Sequence, residues 1–200
     1  MSTKFFTNQD TNTLLNKFKG IFEHNTDIEN FDALVGYFRA SGYFKVRPFL
    51  DNVPHIRILV GIDVDKILAK YQSKGLLFQG DANQTLIEFL SEVKSDIQDA
   101  DYNQEIEEGI LQFIEDIATR KIEIKAHPSK KLHAKIYIFK PKGWNEHKSG
   151  YVITGSSNLT ENGLGGTDNF NYEFNVQLKD YDDVKFASDE FERLWIEGIS

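Results

Sequence analysis

Two apolar segments joined by one short helical segment constrain the fold of this chain most. Residues 31–38 and 55–61 have the apolar, β-branched and aromatic composition of buried strands. Between them, Ser41 is placed to cap a short helix that must end before Pro48. A further helix is predicted over residues 64–72. Because a strand–helix–strand–helix order is typical of a parallel sheet covered by helices, the sequence predicts an α/β fold.

The rest of the chain suits the same architecture within one domain of 200 residues, a length that can bury a sizeable core. Apolar periodicity predicts further helices over 10–23, 86–97, 106–117 and 183–195, and further strands over 121–126, 132–139, 151–154 and 172–178. Loops are expected at 75–82 and at Gly163–Gly166. We therefore expect an α/β/α sandwich with a mixed, largely parallel central sheet.

The predicted strand at 132–139 carries two residues that packing does not require. His133 and Lys135 lie two residues apart, so strand periodicity would place both on one face, with Cα atoms about 6.5 Å apart. An imidazole and an ammonium at that spacing can reach the same small anion. The pattern favours a phosphate site.

Two later motifs extend this pattern. The residues Gly155-Ser156-Ser157-Asn158 follow a predicted strand, and Asn171-Tyr172-Glu173 opens the next one. The order H-x-K, G-S-x-N and N-x-E resembles the signature of the phospholipase D (HKD) superfamily. One position departs from that signature, because Lys140 stands where the family usually has an acidic residue.

The resemblance implies a role for each matching residue. It implies that His133 is the nucleophile, that Lys135, Ser156 and Asn158 hold the phosphate, and that Glu173 orients the histidine. Lys131 and Lys140 flank the H-x-K motif and are assigned to substrate binding. The other histidines, at 24, 55, 127 and 147, have no partnered motif.

Charge is distributed unevenly along the chain. The net charge is −8, which by itself disfavours a nucleic-acid partner. However, the segment from Arg120 to Lys148 contains nine basic and two acidic residues, so it carries a net charge of +7 and the remainder of the chain carries −15. A local basic field around His133 would favour capture of a polyanion. The alternative interpretation is that these basic residues only form a solvated surface around a strand pair.

The family chemistry implies a partner and no cofactor. A leaving oxygen needs a proton, and a second histidine is the natural donor. Because the chain has one H-x-K motif, the resemblance implies a homodimer in which the His133 residues of both subunits face each other. No Asp/Glu/His cluster has convincing metal-ligand spacing, so we expect a metal-independent reaction without a cofactor.

Several functions share this chemistry. The preferred function is a metal-independent phosphodiesterase that cleaves DNA through a phosphohistidine; the alternative is an idle nucleic-acid-binding or dimerisation module, and a phospholipase is a weaker option. Residues 32–38 and 56–61 also resemble, more loosely, the phospholipase D-like domain of bacterial helicase-type and restriction-type proteins. The chain would then be the N-terminal part of a longer protein with a linked helicase or ATPase region. Since the sequence shows no signal segment, apolar span or cysteine, we expect a cytoplasmic protein that is not bound to a membrane.

Overall fold

The computed structural model describes residues 3–9, 11–61, 91, 104–127, 132–165 and 171–198. Its strands are β1 (Phe5–Thr7), β2 (Ile28–Val35), β3 (His55–Gly61), β4 (Ile122–His127), β5 (Ile136–Pro141), β6 (Tyr151–Gly155) and β7 (Phe174–Leu178). Its helices are α1 (Leu14–His24), α2 (Ala40–Val46), a 3₁₀ turn (Arg47–Phe49), α3 (Gln104–Ala118), α4 (Glu161–Leu164) and α5 (Tyr181–Glu197). The predicted elements at 64–72 and 75–82, and that at 86–97 apart from residue 91, lie outside the part described.

The seven described strands form one mixed sheet in the order β1-β7-β6-β5-β2-β3-β4. Strands β2, β3 and β4 are parallel, as the β2–α2–β3 connection predicts. The pairings of β2 with β5, β5 with β6, β6 with β7 and β7 with β1 are all antiparallel. The α/β class and the mixed sheet are confirmed, while parallel pairing is limited to one half of the sheet.

Apolar side chains cover both faces of the sheet, as the sandwich prediction requires. On one face, α1 and α2 pack over an aromatic cluster that includes Phe18, Phe22, Phe31 and Phe139. On the other face, α5 buries one apolar stripe, including Phe191, against β2, β3, β5 and β6. The sheet therefore stands between two helical layers.

Several predicted boundaries shift for local reasons. Strand β5 begins at Ile136 rather than at Leu132, and residues 132–135 belong to no strand or helix. Helix α2 has Arg39 at its N-cap, so Ser41 lies inside the helix and does not cap it. The first three residues expected in the Gly163–Gly166 loop instead end α4: Thr160 caps its start, and Gly165 adopts a left-handed conformation at its end.

None of the described helices is both long enough and apolar enough to cross a membrane.

Candidate active site

The H-x-K segment lies across the carboxyl ends of the two central parallel strands. A Cβ added to Gly61, the last residue of β3, would come 2.4 Å from the Leu132 carbonyl oxygen. A Cβ added to Gly36, just after β2, would come 2.8 Å from the same oxygen. Glycine at both positions therefore lets the segment cross the strand ends, the edge at which open α/β sheets usually bind ligands.

Both residues of the H-x-K motif lie on this crossing segment. His133 is exposed, and Lys135 is partly buried with its Nζ donating to the His133 carbonyl oxygen at 2.7 Å. An ammonium has three N–H donors, and this contact uses one of them. Because residues 132–135 are not part of a strand, strand periodicity does not set the positions of these two side chains, and their shared anion site stays a prediction.

Asn158 is hydrogen bonded to the segment that follows β2, at the same strand ends. Its Oδ1 accepts a hydrogen bond from the backbone N–H of Tyr37 at 3.0 Å. Because the amide oxygen is engaged, Nδ2 is the group of Asn158 that can donate to a bound anion. Lys135 reaches the same turn, since a Cβ on Gly36 would lie 3.6 Å from its Nζ. The Gly36–Tyr37 peptide therefore connects Lys135 with Asn158.

Ser156 and Glu173 meet at the ends of β6 and β7. The Ser156 hydroxyl donates to the Glu173 carboxylate, and its oxygen accepts from the Phe174 N–H at 3.0 Å. Gly155 permits this contact, because a Cβ there would come 2.3 Å from the Phe174 carbonyl oxygen. Among the described residues, Glu173 hydrogen bonds Ser156 and makes no such bond to His133.

The buried residues Tyr137 and Asn8 hold the segments around Ser157 and Glu173 in place. The Tyr137 hydroxyl donates to the Ser157 carbonyl at 2.9 Å, and burial, together with the charge of Glu173, raises the pKa of Tyr137 well above its usual value. The hydroxyl therefore stays protonated as a donor. Asn8 accepts from the Glu173 N–H at 3.0 Å and donates to the Asn171 carbonyl at 2.7 Å. Sequence reasoning missed Asn8, which follows a strand too short to show a period.

A polar recess of about 460 Å³ opens beside these groups. Asn158 and Glu173 line this recess together with Asn171 of the N-x-E motif. Tyr37 and Arg39, which belong to none of the three motifs, line it as well. The remaining lining residues are Ser41, Thr160, Glu161, Asn162 and Gly163. The sequence offered no signal for Tyr37 and Arg39, because only the tertiary fold places them at the recess.

Of the two lysines assigned to substrate binding, the structure describes only Lys140. Lys131 lies outside the described residues. Lys140 is on the far side of β5 from the motif, where its Nζ donates to Ser188 Oγ at 2.8 Å and lies 3.6 Å from Asp32 Oδ2. These contacts hold its ammonium against α5 and β2, so Lys140 contributes to packing and does not lie at the strand ends.

Several lysines of the basic segment that the structure describes make internal contacts. Lys121 donates to the carbonyls of Asp51 and Val53, and Lys125 donates to that of Trp195. Lys148 pairs with Asp27 at 2.6 Å. Three of the described lysines of this segment are therefore held by contacts within the fold.

No group of three or more possible metal-ligating side chains occurs within the stretches that the structure describes. The prediction of a metal-independent reaction stays a prediction.

Comparisons with known proteins agree with the fold. A family model described as "Cardiolipin synthase, PLD-like domain" matches residues 40–195. The structure of Nuc, a phospholipase D family member from Salmonella typhimurium, matches with a TM-score of 0.54 and 11% identity, covering 99% of this chain and 96% of that one. NucT from Helicobacter pylori matches with a TM-score of 0.49 and 10% identity over 98% and 96% of the two chains.

A larger protein matches over part of its length. For the yeast tyrosyl-DNA phosphodiesterase, the TM-score is 0.41 and the identity 14%, over 86% of this chain and 31% of that one. A search of curated proteins gave no significant match.

Proposed function

Because this chain belongs to the phospholipase D-like family, we propose that it is a phosphodiesterase that cleaves DNA through a covalent phosphohistidine at His133. The observation that carries the proposal is the arrangement at the carboxyl ends of β2 and β3. There, the ammonium of Lys135 bonds the backbone carbonyl of the exposed residue His133, and the Gly36–Tyr37 peptide lies close to both Lys135 and Asn158.

The proposed chemistry begins with substrate binding. A phosphodiester is negatively charged and resists nucleophiles, so donors around its non-bridging oxygens are needed before attack. Lys135 has two N–H groups beyond the one bonded to the His133 carbonyl, and Asn158 offers its Nδ2 group. These donors would hold the phosphorus atom in line with His133.

Attack forms a phosphorus–nitrogen bond and breaks the bond from phosphorus to the leaving oxygen. The leaving oxygen needs a proton, which a second histidine supplies. In a two-fold homodimer, this donor would be the His133 of the other copy. Water then cleaves the phosphorus–nitrogen bond, and the second histidine accepts its proton. Glu173 would move from Ser156 to the imidazole when substrate binds, and stabilise the positive charge there.

The test compares two exposed histidines. Wild-type protein, His133→Ala and His147→Ala are incubated with single-stranded and plasmid DNA in excess chelator. We expect cleavage by wild type and by His147→Ala, and a loss of at least about a hundredfold in His133→Ala. A radiolabelled protein adduct that is stable in alkali and labile in acid would identify the phosphohistidine. Full activity of His133→Ala would refute the proposal.

One observation favours the second candidate, a binding module without activity. Glu173 is bonded to Ser156 rather than to His133, so in this state it does not orient the proposed nucleophile. If the protein is such a binding module, wild type and both variants bind the same DNA but none of them cleaves it. Vesicles containing an anionic phospholipid serve as a third substrate, and cleavage confined to them would indicate the phospholipase alternative.

A further inference from the structure

The loop between β2 and α2 is fixed against the G-S-x-N loop by its backbone. Tyr37 donates its N–H to Asn158, and Arg39 donates its N–H to the Leu159 carbonyl at 3.1 Å. Between them, Phe38 is buried and bridges to Leu159. Because alternate residues of an extended segment point in opposite directions, the side chains of Tyr37 and Arg39 both point away from the core.

These two side chains form one unit at the rim of the polar recess. The Arg39 guanidinium carbon lies 5.3 Å from the centre of the Tyr37 ring, a cation–π contact that restrains the ring. The Tyr37 side chain nevertheless remains 42% exposed. A restrained, exposed aromatic ring beside an arginine is the combination on which unpaired bases stack in proteins that bind single strands.

The recess next to this pair is suited to a neutral polar group rather than to a phosphate. Besides Arg39 at its rim, its lining residues include two glutamates, Glu161 and Glu173, and three asparagines, Asn158, Asn162 and Asn171. Carboxylates repel a phosphate but accept hydrogen bonds from the exocyclic amines of a base. A volume of about 460 Å³ lies within the range of sites for small molecules, roughly 300–1,000 Å³.

We propose that Tyr37 and Arg39 form a stacking platform for an unpaired nucleobase next to the phosphate held by Lys135 and Asn158. The inference rests on the proposed function and specifies its substrate as single-stranded DNA. A base inside a duplex has its edge paired and its faces stacked, so it reaches this recess only after leaving the helix. Tyr37 thereby selects single strands over duplexes.

The experiment measures cleavage of a single-stranded oligonucleotide by wild type, Tyr37→Ala, Tyr37→Phe and Phe186→Ala. Phe186 is a matched control, because it is an exposed aromatic residue on α5, across the sheet from α1 and α2. We expect Tyr37→Ala to raise KM roughly tenfold with kcat little changed, since stacking contributes to binding. Tyr37→Phe and Phe186→Ala keep the wild-type KM. Thermal unfolding of each variant shows whether it is folded.

An oligonucleotide with an abasic site beside the cleaved phosphate provides the second arm. Wild type should lose the same factor on this substrate, and Tyr37→Ala should lose nothing further, because the base that it contacts is missing. Equal cleavage of both oligonucleotides by wild type and Tyr37→Ala, with His133→Ala inactive, would overturn the platform and leave the proposed function intact. Equal use of duplex and single strand by wild type would overturn it as well.

Binding separates this inference from the failure of the proposed function. If no variant cleaves, quenching of 2-aminopurine in the same oligonucleotide is measured instead. Quenching by wild type and Tyr37→Phe but not by Tyr37→Ala would support the platform without catalysis. Absence of binding by wild type, or equal quenching with Tyr37→Ala, would reject it.

Discussion

At the scale of single residues, the most demanding position is Asp32, whose side chain is fully buried in the middle of the sheet. Arg57 on the neighbouring strand binds both of its oxygens, at 2.7 and 2.9 Å. The same guanidinium also contacts Glu192 on α5 and lies over the rings of Phe191 and Trp195. Burial opposes its charge, but the hydrogen bonds that it donates to the two carboxylates raise the pKa of Arg57 overall.

Removal of the Asp32 carboxylate should therefore be costly. We expect Asp32→Ala to lower the free energy of unfolding by about 3–5 kcal/mol, because it leaves the Arg57 and Lys140 charges without their buried partner. Urea unfolding measures the change. Glu23→Ala, which removes an exposed pair with Lys19, is the control and should cost less than about 1 kcal/mol. Similar losses in the two variants would contradict this account of Asp32.

Lys140 provides a test of the role that the sequence assigned to it. Lys140→Met keeps the length of the side chain but removes the contacts with Ser188 and Asp32. We expect a loss of about 1–3 kcal/mol in unfolding free energy, typical of a hydrogen bond from a charged group, with an unchanged KM for DNA. A raised KM with unchanged stability would restore Lys140 to the substrate site.

At the scale of elements, periodicity identified β3 and the long helices, because their buried faces repeat over several turns or strand residues. It placed the start of β5 four residues too early. Residues 132–135 have the composition of a strand, but the ladder with β2 begins at the pair Leu34–Ile136, and β2 itself ends at Val35. An apolar composition indicates that residues are buried, whereas a β-strand also needs a neighbouring strand for its backbone hydrogen bonds.

The same distinction applies to the candidate site. The three motifs are local strings of residues, so the sequence could supply His133, Lys135, Asn158 and Glu173. The contacts of Asn8 and Tyr37 with those motifs span more than 100 residues of sequence, and no local pattern encodes them. The antiparallel pairing of β5 with β2 is likewise a long-range property.

Helix α3 is tied to α2 and the following turn by a buried carboxylate. Asp116 accepts from the Tyr43 hydroxyl at 2.7 Å and from Arg47 and Gln112. Burial alone would raise the pKa of Asp116, but hydrogen bonds from Arg47, Tyr43 and Gln112 lower it below its usual value. The unfolded chain therefore binds this proton more readily than the folded chain does.

This difference predicts a pH dependence of stability. The contribution of Asp116 is present at neutral pH and is lost as the pH falls below about 3.9 through the lower pKa of the folded state. Asp116→Asn should be less stable than wild type at pH 7 and should lose less on acidification to pH 3. Urea unfolding at several pH values measures both effects. Asp189→Asn, an exposed carboxylate, is the control; an unchanged slope for Asp116→Asn would contradict the assignment.

At the scale of the whole molecule, the proposed reaction needs more than one chain provides. One H-x-K segment crosses the strand ends, and its His133 is exposed rather than enclosed. An exposed nucleophile, together with the need for a proton donor opposite it, suits a site completed by a second copy across a two-fold axis. The dimer is thus a consequence of the proposed chemistry and can be tested through it.

Mixed dimers provide that test. Wild type and a threefold excess of His133→Ala are co-expressed with different tags, so that random pairing leaves about one quarter of the wild-type chains in fully wild-type dimers. If both histidines act in one reaction, activity per wild-type chain should fall to about one quarter, since mixed dimers lack the acid or the nucleophile. Co-expression with His147→Ala, which keeps both site histidines, should cause no such fall. Activity that follows the amount of wild-type chain alone, or a purified mixed dimer with half the wild-type activity, would show that each subunit works independently.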